Sequence, residues 1–125
     1  MSILGNQQLK AFVPTINTPA AKTFYRDILG LTLLSEDQFA LEFDANGILF
    51  RVITVQEFNP YPFTVLGWNV DDIKRVIGEL NEKGVFCEKY SFMPQDEAGV
   101  WNSPSGAMVA WFKDPDGNVL SLTQV

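Results

Sequence analysis

The chain has 125 residues, of which 46% are hydrophobic and 13% aromatic, and this is enough apolar material for one domain with a proper core. Its formal net charge of −6, with 9 scattered Lys and Arg residues, disfavours nucleic acid as a partner, because phosphate contacts need clustered positive charge. The chain contains no histidine, which removes the commonest general base and the commonest ligand of divalent transition metals.

The sequence also disfavours export and membrane insertion. No apolar run approaches the roughly 18 residues that a membrane-spanning helix needs. The start "MSILGNQQLK" lacks the charged and apolar regions of a signal peptide. The single cysteine, Cys87, excludes an intrachain disulfide and is best interpreted as a small buried hydrophobe. We therefore predict a cytoplasmic protein without a membrane or nucleic-acid partner.

The first half of the chain predicts one strand, one helix and three further strands. The helix lies in "NTPAAKTFYRDILG", with Thr18 as the expected N-cap, Pro19 at the first helical position and Gly30 as the stop. Short β-rich runs surround it, namely "AFVPTI" before it and "LTLL", "FALEFD" and "ILFRVITV" after it.

The second half predicts the same order of elements. Its helix, "DDIKRVIGELNEKG", begins at Asp71 or Asp72 and ends at Gly84, and it carries an apolar stripe at helical spacing. The predicted strands are "FTVLGWNV" before the helix and "VFCEKY", "MVAWFKD" and "NVLSLTQ" after it. The pattern β-α-β-β-β therefore occurs twice.

The spacing of matched residues supports an internal repeat. The helix starts Asn17 and Asp71 are 54 residues apart, whereas the aspartates of the two D-x-x-G turns, Asp44 and Asp114, are 70 apart. About 16 residues are thus added in the second half, and residues 91–106, "SFMPQDEAGVWNSPSG", have that length and are predicted as a loop. A long loop in a compact domain is often functional, so a lid, an arm to a partner subunit and a merely decorative loop all stay open.

Three stretches, "FYRDILGL", "GWNVDDI" and "WFKDPDGNVLSL", resemble the vicinal oxygen chelate superfamily, which includes glyoxalase I, bleomycin-resistance proteins and extradiol dioxygenases. The resemblance implies an α+β fold in which two βαβββ modules form a cupped eight-stranded mixed sheet with helices on its outer face. It implies a single domain over residues 1–125, with modules at about 8–56 and 62–125 and the inserted loop at 91–106. It also implies a homodimer.

The same resemblance places four metal-ligand positions on this chain. They fall at Lys10, at Arg51, at Val65 or its neighbour Thr64, and at Ser121, and none is His, Gln, Glu or Asp. Two of the four side chains are cationic, and a divalent cation needs several N or O donors. We therefore predict that the family metal is missing and that the protein has no cofactor.

Strand alternation then suggests what lines the cup. In "ILFRVITV" it places Leu49 and Arg51 on the face opposite Phe50, and in "NVLSLTQ" it places Val119, Ser121 and Thr123 on one face. The resemblance implies that these two faces look into the cup. Arg51, with Lys10, is a candidate anchor for a carboxylate, since a guanidinium binds such groups bidentately. The competing interpretation is that Arg51 pairs with an acid such as Glu42 on the neighbouring strand, or faces solvent.

The three tryptophans differ in their expected roles. Trp68 shares a strand face with apolar residues and is predicted to be in the core, Trp101 in the inserted loop is a ligand candidate, and Trp111 lies between these cases. The predicted ligand-binding residues are therefore Arg51, Ser121, Lys10, Trp101, Val65, Leu49 and Val119.

No catalytic residue can be assigned from the sequence. Glu42, Asp96 and Glu97 are available as bases, but nothing pairs them with a nucleophile or an acid. We favour a metal-free, bleomycin-resistance-like protein that binds a small hydrophobic molecule, with or without an anionic group. The alternatives are a lyase, isomerase or dioxygenase-type enzyme with an atypical or absent metal site, which could draw on Glu42 and Asp44, and a structural dimer whose cup is self-filled.

Overall fold

In a computed structural model, which describes residues 2–125, the chain divides into two units with the same topology. The N-terminal unit ends at Phe58 and the C-terminal unit is Asn59–Val125. Each unit holds one four-stranded mixed sheet and one helical segment, which is the α+β fold class that the resemblance implies. Within residues 2–125, no helix has the length and apolar character needed to cross a membrane.

The N-terminal unit has a sheet of order β1-β4-β3-β2, in which β1 and β4 are parallel and the other neighbours antiparallel. Its elements are β1 (Lys10–Thr15), α1 (Thr18–Lys22) continued by a π-helical turn (Thr23–Ile28), β2 (Thr32–Glu36), β3 (Ala40–Ala45) and β4 (Ile48–Thr54).

The C-terminal unit repeats this arrangement, with the sheet order β5-β8-β7-β6 and a parallel pair of β5 and β8. Its elements are β5 (Thr64–Asn69), α2 (Ile73–Glu82), β6 (Trp101–Asn102), β7 (Met108–Lys113) and β8 (Val119–Gln124).

The core of the N-terminal unit forms where the first helical segment covers one face of its sheet. Tyr25 is fully buried, and its ring centroid lies 5.0 Å from that of Phe50 and 6.1 Å from that of Phe43. The predicted cap needs correction, because Asn17 rather than Thr18 accepts the hydrogen bond from the backbone N–H of Ala20. Thr18 is the first residue of α1.

The core of the C-terminal unit forms in the same way. The buried residues of α2, Ile73, Ile77 and Leu80, form its apolar stripe, and α2 packs on β8. The backbone N–H of Ile73 donates to the side-chain oxygen of Gln124 at 2.8 Å, which ties the helix start to the end of β8. Trp68, which the sequence predicts in the core, is half-buried, and its ring stacks on that of buried Phe112 at 6.5 Å.

One predicted strand is wrong. Residues 85–90, "VFCEKY", form no strand, and the matching edge position in the sheet is taken by β6, which lies inside the predicted inserted loop. Hydrogen bonds from a nearby side chain take the place of those to a neighbouring strand. The side chain of Gln95 accepts from the N–H of Tyr90 at 2.7 Å and donates to the carbonyl of Glu88 at 3.0 Å, which satisfies backbone groups that a ladder would otherwise pair.

The two D-x-x-G turns join corresponding hairpins but differ in their hydrogen bonds. Asp114 is buried, and its Oδ1 accepts from the N–H groups of Asp116 and Asn118, both at 2.9 Å, while Oδ2 accepts from Asn118 Nδ2 at 2.8 Å. Asp44 is half-buried, and its Oδ1 accepts from the N–H of Gly47 at 2.9 Å.

We predict that Asp114→Ala destabilises the protein by about 2–3 kcal/mol and that its counterpart Asp44→Ala costs about 1 kcal/mol. The difference follows because the first change leaves several buried donors without an acceptor, whereas the second removes one bond near the surface. Urea unfolding of both variants measures it. Equal losses would show that the buried turn is not the stronger structural element.

Candidate functional site

A cavity of about 500 Å³ lies in the C-terminal unit and opens on the face of the sheet opposite α2. Its lining is almost wholly apolar and rich in rings. The lining residues are Pro62, Phe63, Thr64, Tyr90, Phe92, Met93, Trp111 and Val119.

The sheet contributes Trp111 and Val119 to this lining. Trp111 alternates along β7 with Ala110 and Phe112, which are buried on the helix side, so strand geometry turns Trp111 to the open face. Val119, at the start of β8, is 5% exposed and closes the inner end of the cavity.

Two loops supply the other aromatic walls. The ring of Tyr90 lies 5.8 Å from that of Trp111, with the ring planes at 78°, and 5.4 Å from that of Phe92. Phe63, before β5, stacks on Tyr61 at 5.6 Å. Phe63 and Phe92 are 58% and 77% exposed, so they form the rim, and a ligand would cover their free surface.

The loop that carries Tyr90 and Phe92 is held by side chains that follow it. Gln95 Nε2 also donates to the carbonyl of Gly99 at 2.8 Å. Asp96 Oδ1 accepts from the N–H groups of Ala98 and Val100, both at 2.9 Å. The bond from Val100 is the main reason why the pKa of Asp96 lies below its usual value, and the ammonium of Lys74, at 3.3 Å, adds to this. These hydrogen bonds fix the loop that follows Tyr90 and Phe92.

The chemistry of the lining is limited. Tyr90 is its one titratable side chain, and burial, followed by the nearby charge of Glu88, raises the pKa of its phenol. At neutral pH the phenol is protonated and can donate a hydrogen bond. The hydroxyl of Thr64 is the other polar side-chain group among the lining residues.

Cys87 lies on the segment before Tyr90 and does not line the cavity. Burial raises the pKa of its thiol to about 11, so very little thiolate is present at neutral pH. This supports the interpretation of Cys87 as a packing residue, with its Cβ lying close to the position that a side chain on Gly99 would occupy.

Of the predicted ligand-binding residues in the C-terminal unit, Val119 lines the cavity. Trp101 does not line the cavity, although its ring lies 6.1 Å from that of Trp111. Ser121 is the cross-strand partner of both Trp111 and Gly67, and a Cβ on Gly67 would lie 2.5 Å from Ser121 Oγ. The serine hydroxyl therefore fills the space above that glycine.

Val65 lies at an irregularity in the pairing of β5 with β8. Thr64 pairs with Val119, and Leu66 pairs with the next residue of β8, so Val65 is the extra residue of a bulge and is 43% exposed. The bulge leaves Thr64, rather than Val65, in the cavity lining.

The other three predicted residues, Lys10, Leu49 and Arg51, lie in the N-terminal unit on one face of its sheet. Lys10 pairs with Leu49 across β1 and β4, and Arg51 pairs with Glu42 across β4 and β3. Arg51 Nη1 donates to Glu42 Oε2 at 2.9 Å. The interpretation of Arg51 as the partner of Glu42 is thus confirmed, and its role as an anion anchor stays a prediction.

The residues at the four family ligand positions do not fit a divalent cation. Lys10 and Arg51 are cationic, Val65 has no donor atom and Ser121 offers a neutral hydroxyl. Among residues 2–125 there is also no group of three or more His, Cys, Asp and Glu side chains that could hold a metal ion.

Sequence reasoning missed most of the cavity. Phe63, Tyr90 and Phe92 were not among the candidates, although "NPYPF" and "KYSFM" both concentrate rings in short segments next to Pro or Met. The sequence pattern assigns these segments to strands or to a loop, and it gives no reason to place their rings in a common site.

We predict that Arg51→Met and Glu42→Gln each destabilise the protein and that a double-mutant cycle gives a coupling free energy of about 1 kcal/mol, because each single change leaves a half-buried partner unpaired. Urea unfolding of the two single variants and the double variant measures it. A coupling near zero would mean that the pair has no structural role. If Arg51 also anchors anions, Glu42→Gln should strengthen benzoate binding and Arg51→Met should abolish it.

Solved structures of other proteins share this fold. An integron cassette protein from the mobile metagenome of the Halifax Harbour sewage outfall superposes with a TM-score of 0.76 at 20% identity, with 96% of this chain and 99% of that chain covered. A glyoxalase family protein from Enterococcus faecalis gives 0.71 at 24% identity, covering 98% and 99%. A lactoylglutathione lyase from Agrobacterium tumefaciens gives 0.73 at 16% identity, covering 95% and 93%.

At these identities the likeness establishes the fold alone. No curated protein is significantly similar to the chain in sequence. The sequence pattern of one family, however, matches residues 8–122, which is nearly the whole chain and includes both units. The protein therefore belongs to the Glyoxalase/Bleomycin resistance protein/Dioxygenase superfamily.

Proposed function

We propose that this protein binds a small apolar molecule in the aromatic cavity of its C-terminal unit. The observation that carries the proposal is a cavity of about 500 Å³ with four aromatic side chains in its lining, Phe63, Tyr90, Phe92 and Trp111. Small-molecule sites typically enclose about 300–1,000 Å³ and combine an apolar lining with a few polar groups. Here the hydroxyls of Thr64 and Tyr90 would orient the ligand.

Binding is favoured over catalysis by the chemistry of the lining. Tyr90 is its one titratable group, and its raised pKa makes it a poor base at neutral pH. Two of the three acids that the sequence offered as bases are engaged elsewhere, because Glu42 pairs with Arg51 and Asp96 accepts hydrogen bonds from its own loop.

The proposal includes a metal-free homodimer in the cytoplasm. The absence of a metal is supported by the cationic side chains of Lys10 and Arg51 at two of the family ligand positions. Dimerisation is supported by large apolar side chains that are exposed in the N-terminal unit, among them Phe12 at 53% and Phe39 at 64%, which a second copy would cover. The free thiol of Cys87 suits a reducing compartment.

We predict that Phe92→Ala weakens the binding of the neutral dye Nile red about fivefold, because the ligand loses one apolar wall. Fluorescence titration measures the affinity. Phe86→Ala is the matched control, since Phe86 lies in the same unit, is 64% exposed and does not line the cavity. Equal effects of the two changes, or no binding of the dye, would contradict the proposed site.

A native mass spectrum of the protein, purified without added metal, should show a dimer without zinc, nickel or iron. An additional mass of a few hundred daltons that is lost in Phe92→Ala would identify a co-purified ligand in the cavity. One metal ion per chain would overturn the metal-free assignment, and a monomer would overturn the dimer.

A further inference from the structure

The aromatic walls of the cavity are not parallel. The planes of Tyr90 and Trp111 meet at 78°, so these rings form adjoining walls rather than the two sides of a slot. A flat ligand stacks best between parallel rings, whereas walls near a right angle enclose a compact, rounded group. Phe92, whose ring is inclined at 34° to that of Tyr90, extends this enclosure at the rim.

The C-terminal unit, which holds the cavity, carries a net negative charge. None of the lining residues is Lys or Arg. Of the chain's 9 Lys and Arg and 15 Asp and Glu, five and nine respectively lie in Asn59–Val125. The faces of aromatic rings also carry partial negative charge, so both the rings and the net charge of the unit attract a positively charged ligand.

Glu88, Lys89 and Lys113 are charged and lie next to lining residues, and Lys89, directly before Tyr90, is exposed. Glu88 is two residues before Tyr90, and its charge acts on the phenol. Lys113 is the cross-strand partner of Val119, but its ammonium lies 3.5 Å from a carboxylate oxygen of Glu88 and is neutralised there. Glu88 and Lys113 therefore compensate each other, and the pair adds no net charge next to the lining.

We propose that the ligand of this cavity is an organic cation with a quaternary ammonium group on an apolar body. The inference rests on the proposed function, because it assigns a chemical class to the same site. Such a cation is attracted to ring faces within about 6 Å of their centroids, and an acidic protein raises its local concentration.

The quaternary group is favoured over a primary ammonium by hydrogen-bond accounting. A primary ammonium brings three N–H donors, and the lining offers only the side-chain hydroxyls of Thr64 and Tyr90 as polar partners. Leaving a charged donor unpaired in an apolar site is costly. A trimethylammonium group has no donor to satisfy and presents methyl groups to the rings.

The test uses three probes that share a phenyl ring and compete with Nile red for the intact protein. They are benzyltrimethylammonium, its neutral isostere neopentylbenzene and the anion phenylacetate. We expect the cation to displace the dye at a concentration at least about tenfold lower than the neutral isostere, with phenylacetate weakest.

The outcomes separate the inference from the proposed function. If Nile red binds with the expected sensitivity to Phe92→Ala but the neutral probe or the anion competes as well as the cation, the cation inference is wrong and the binding function stands. If Nile red does not bind in the cavity, the proposed function itself fails.

Two sets of variants test the physical origin of the preference. Phe92→Leu keeps an apolar side chain but removes a ring face, so it should weaken the cation about fivefold and the neutral isostere less than about twofold. Glu88→Gln should weaken the cation, and Lys113→Met should strengthen it, each by about two- to fivefold. Equal effects of these charge changes on cation and neutral probe would overturn the electrostatic argument.

Discussion

The covering of one face of each sheet by a helical segment is the constraint on which the rest of the structure depends. Because side chains alternate along a strand, a helix that buries every second residue leaves the intervening ones on an open face. In the N-terminal unit, Tyr25 packs on Phe50, and Arg51 is therefore turned to the other side. In the C-terminal unit, α2 packs on β8 and Phe112 is buried, which turns Trp111 to the open face. The same rule that builds the two cores thus selects the residues available for a site.

The cavity exists because the second copy of the repeat departs from the first. In the N-terminal unit the strand after the helix, β2, runs beside β3 along five residues of its own. In the C-terminal unit the corresponding segment forms no strand. The N–H of Glu88 still donates to the carbonyl of Trp111 on β7 at 2.7 Å, and the side chain of Gln95 makes further hydrogen bonds to Glu88 and Tyr90. Held in this way, the segment places the rings of Tyr90 and Phe92 near Trp111. The inserted residues are therefore what converts a plain sheet face into a walled cavity.

The fold could be predicted from the sequence because its signals are local and repeated. The helix stripes, the D-x-x-G turns and the 54-residue offset each depend on neighbours in the chain. The structure confirms the order of elements that they imply, except for the strand predicted at residues 85–90. The site could not be predicted to the same extent. The sequence of residues 85–90 does not indicate whether the backbone groups of this segment will bond to a neighbouring strand or to a glutamine side chain. The walls of the cavity depend on that difference. The sequence predicts Val119 as a lining residue because the alternation of side chains along β8 does not depend on the hydrogen bonds of residues 85–90.

The open faces of the two units also differ in their charged side chains. Arg51 is held by Glu42 at 2.9 Å, so an anion that uses the guanidinium must displace a carboxylate already in register with it. That competition reduces the net gain from the new pair, because one charge-assisted bond replaces another of similar strength. The lining of the cavity in the C-terminal unit contains no such pair. A cation bound there would be attracted by the ring faces, and no Lys or Arg of the lining competes with it for them. Recruiting a cation there breaks no existing contact, which is why the aromatic site, rather than the arginine, is the stronger basis for ligand binding.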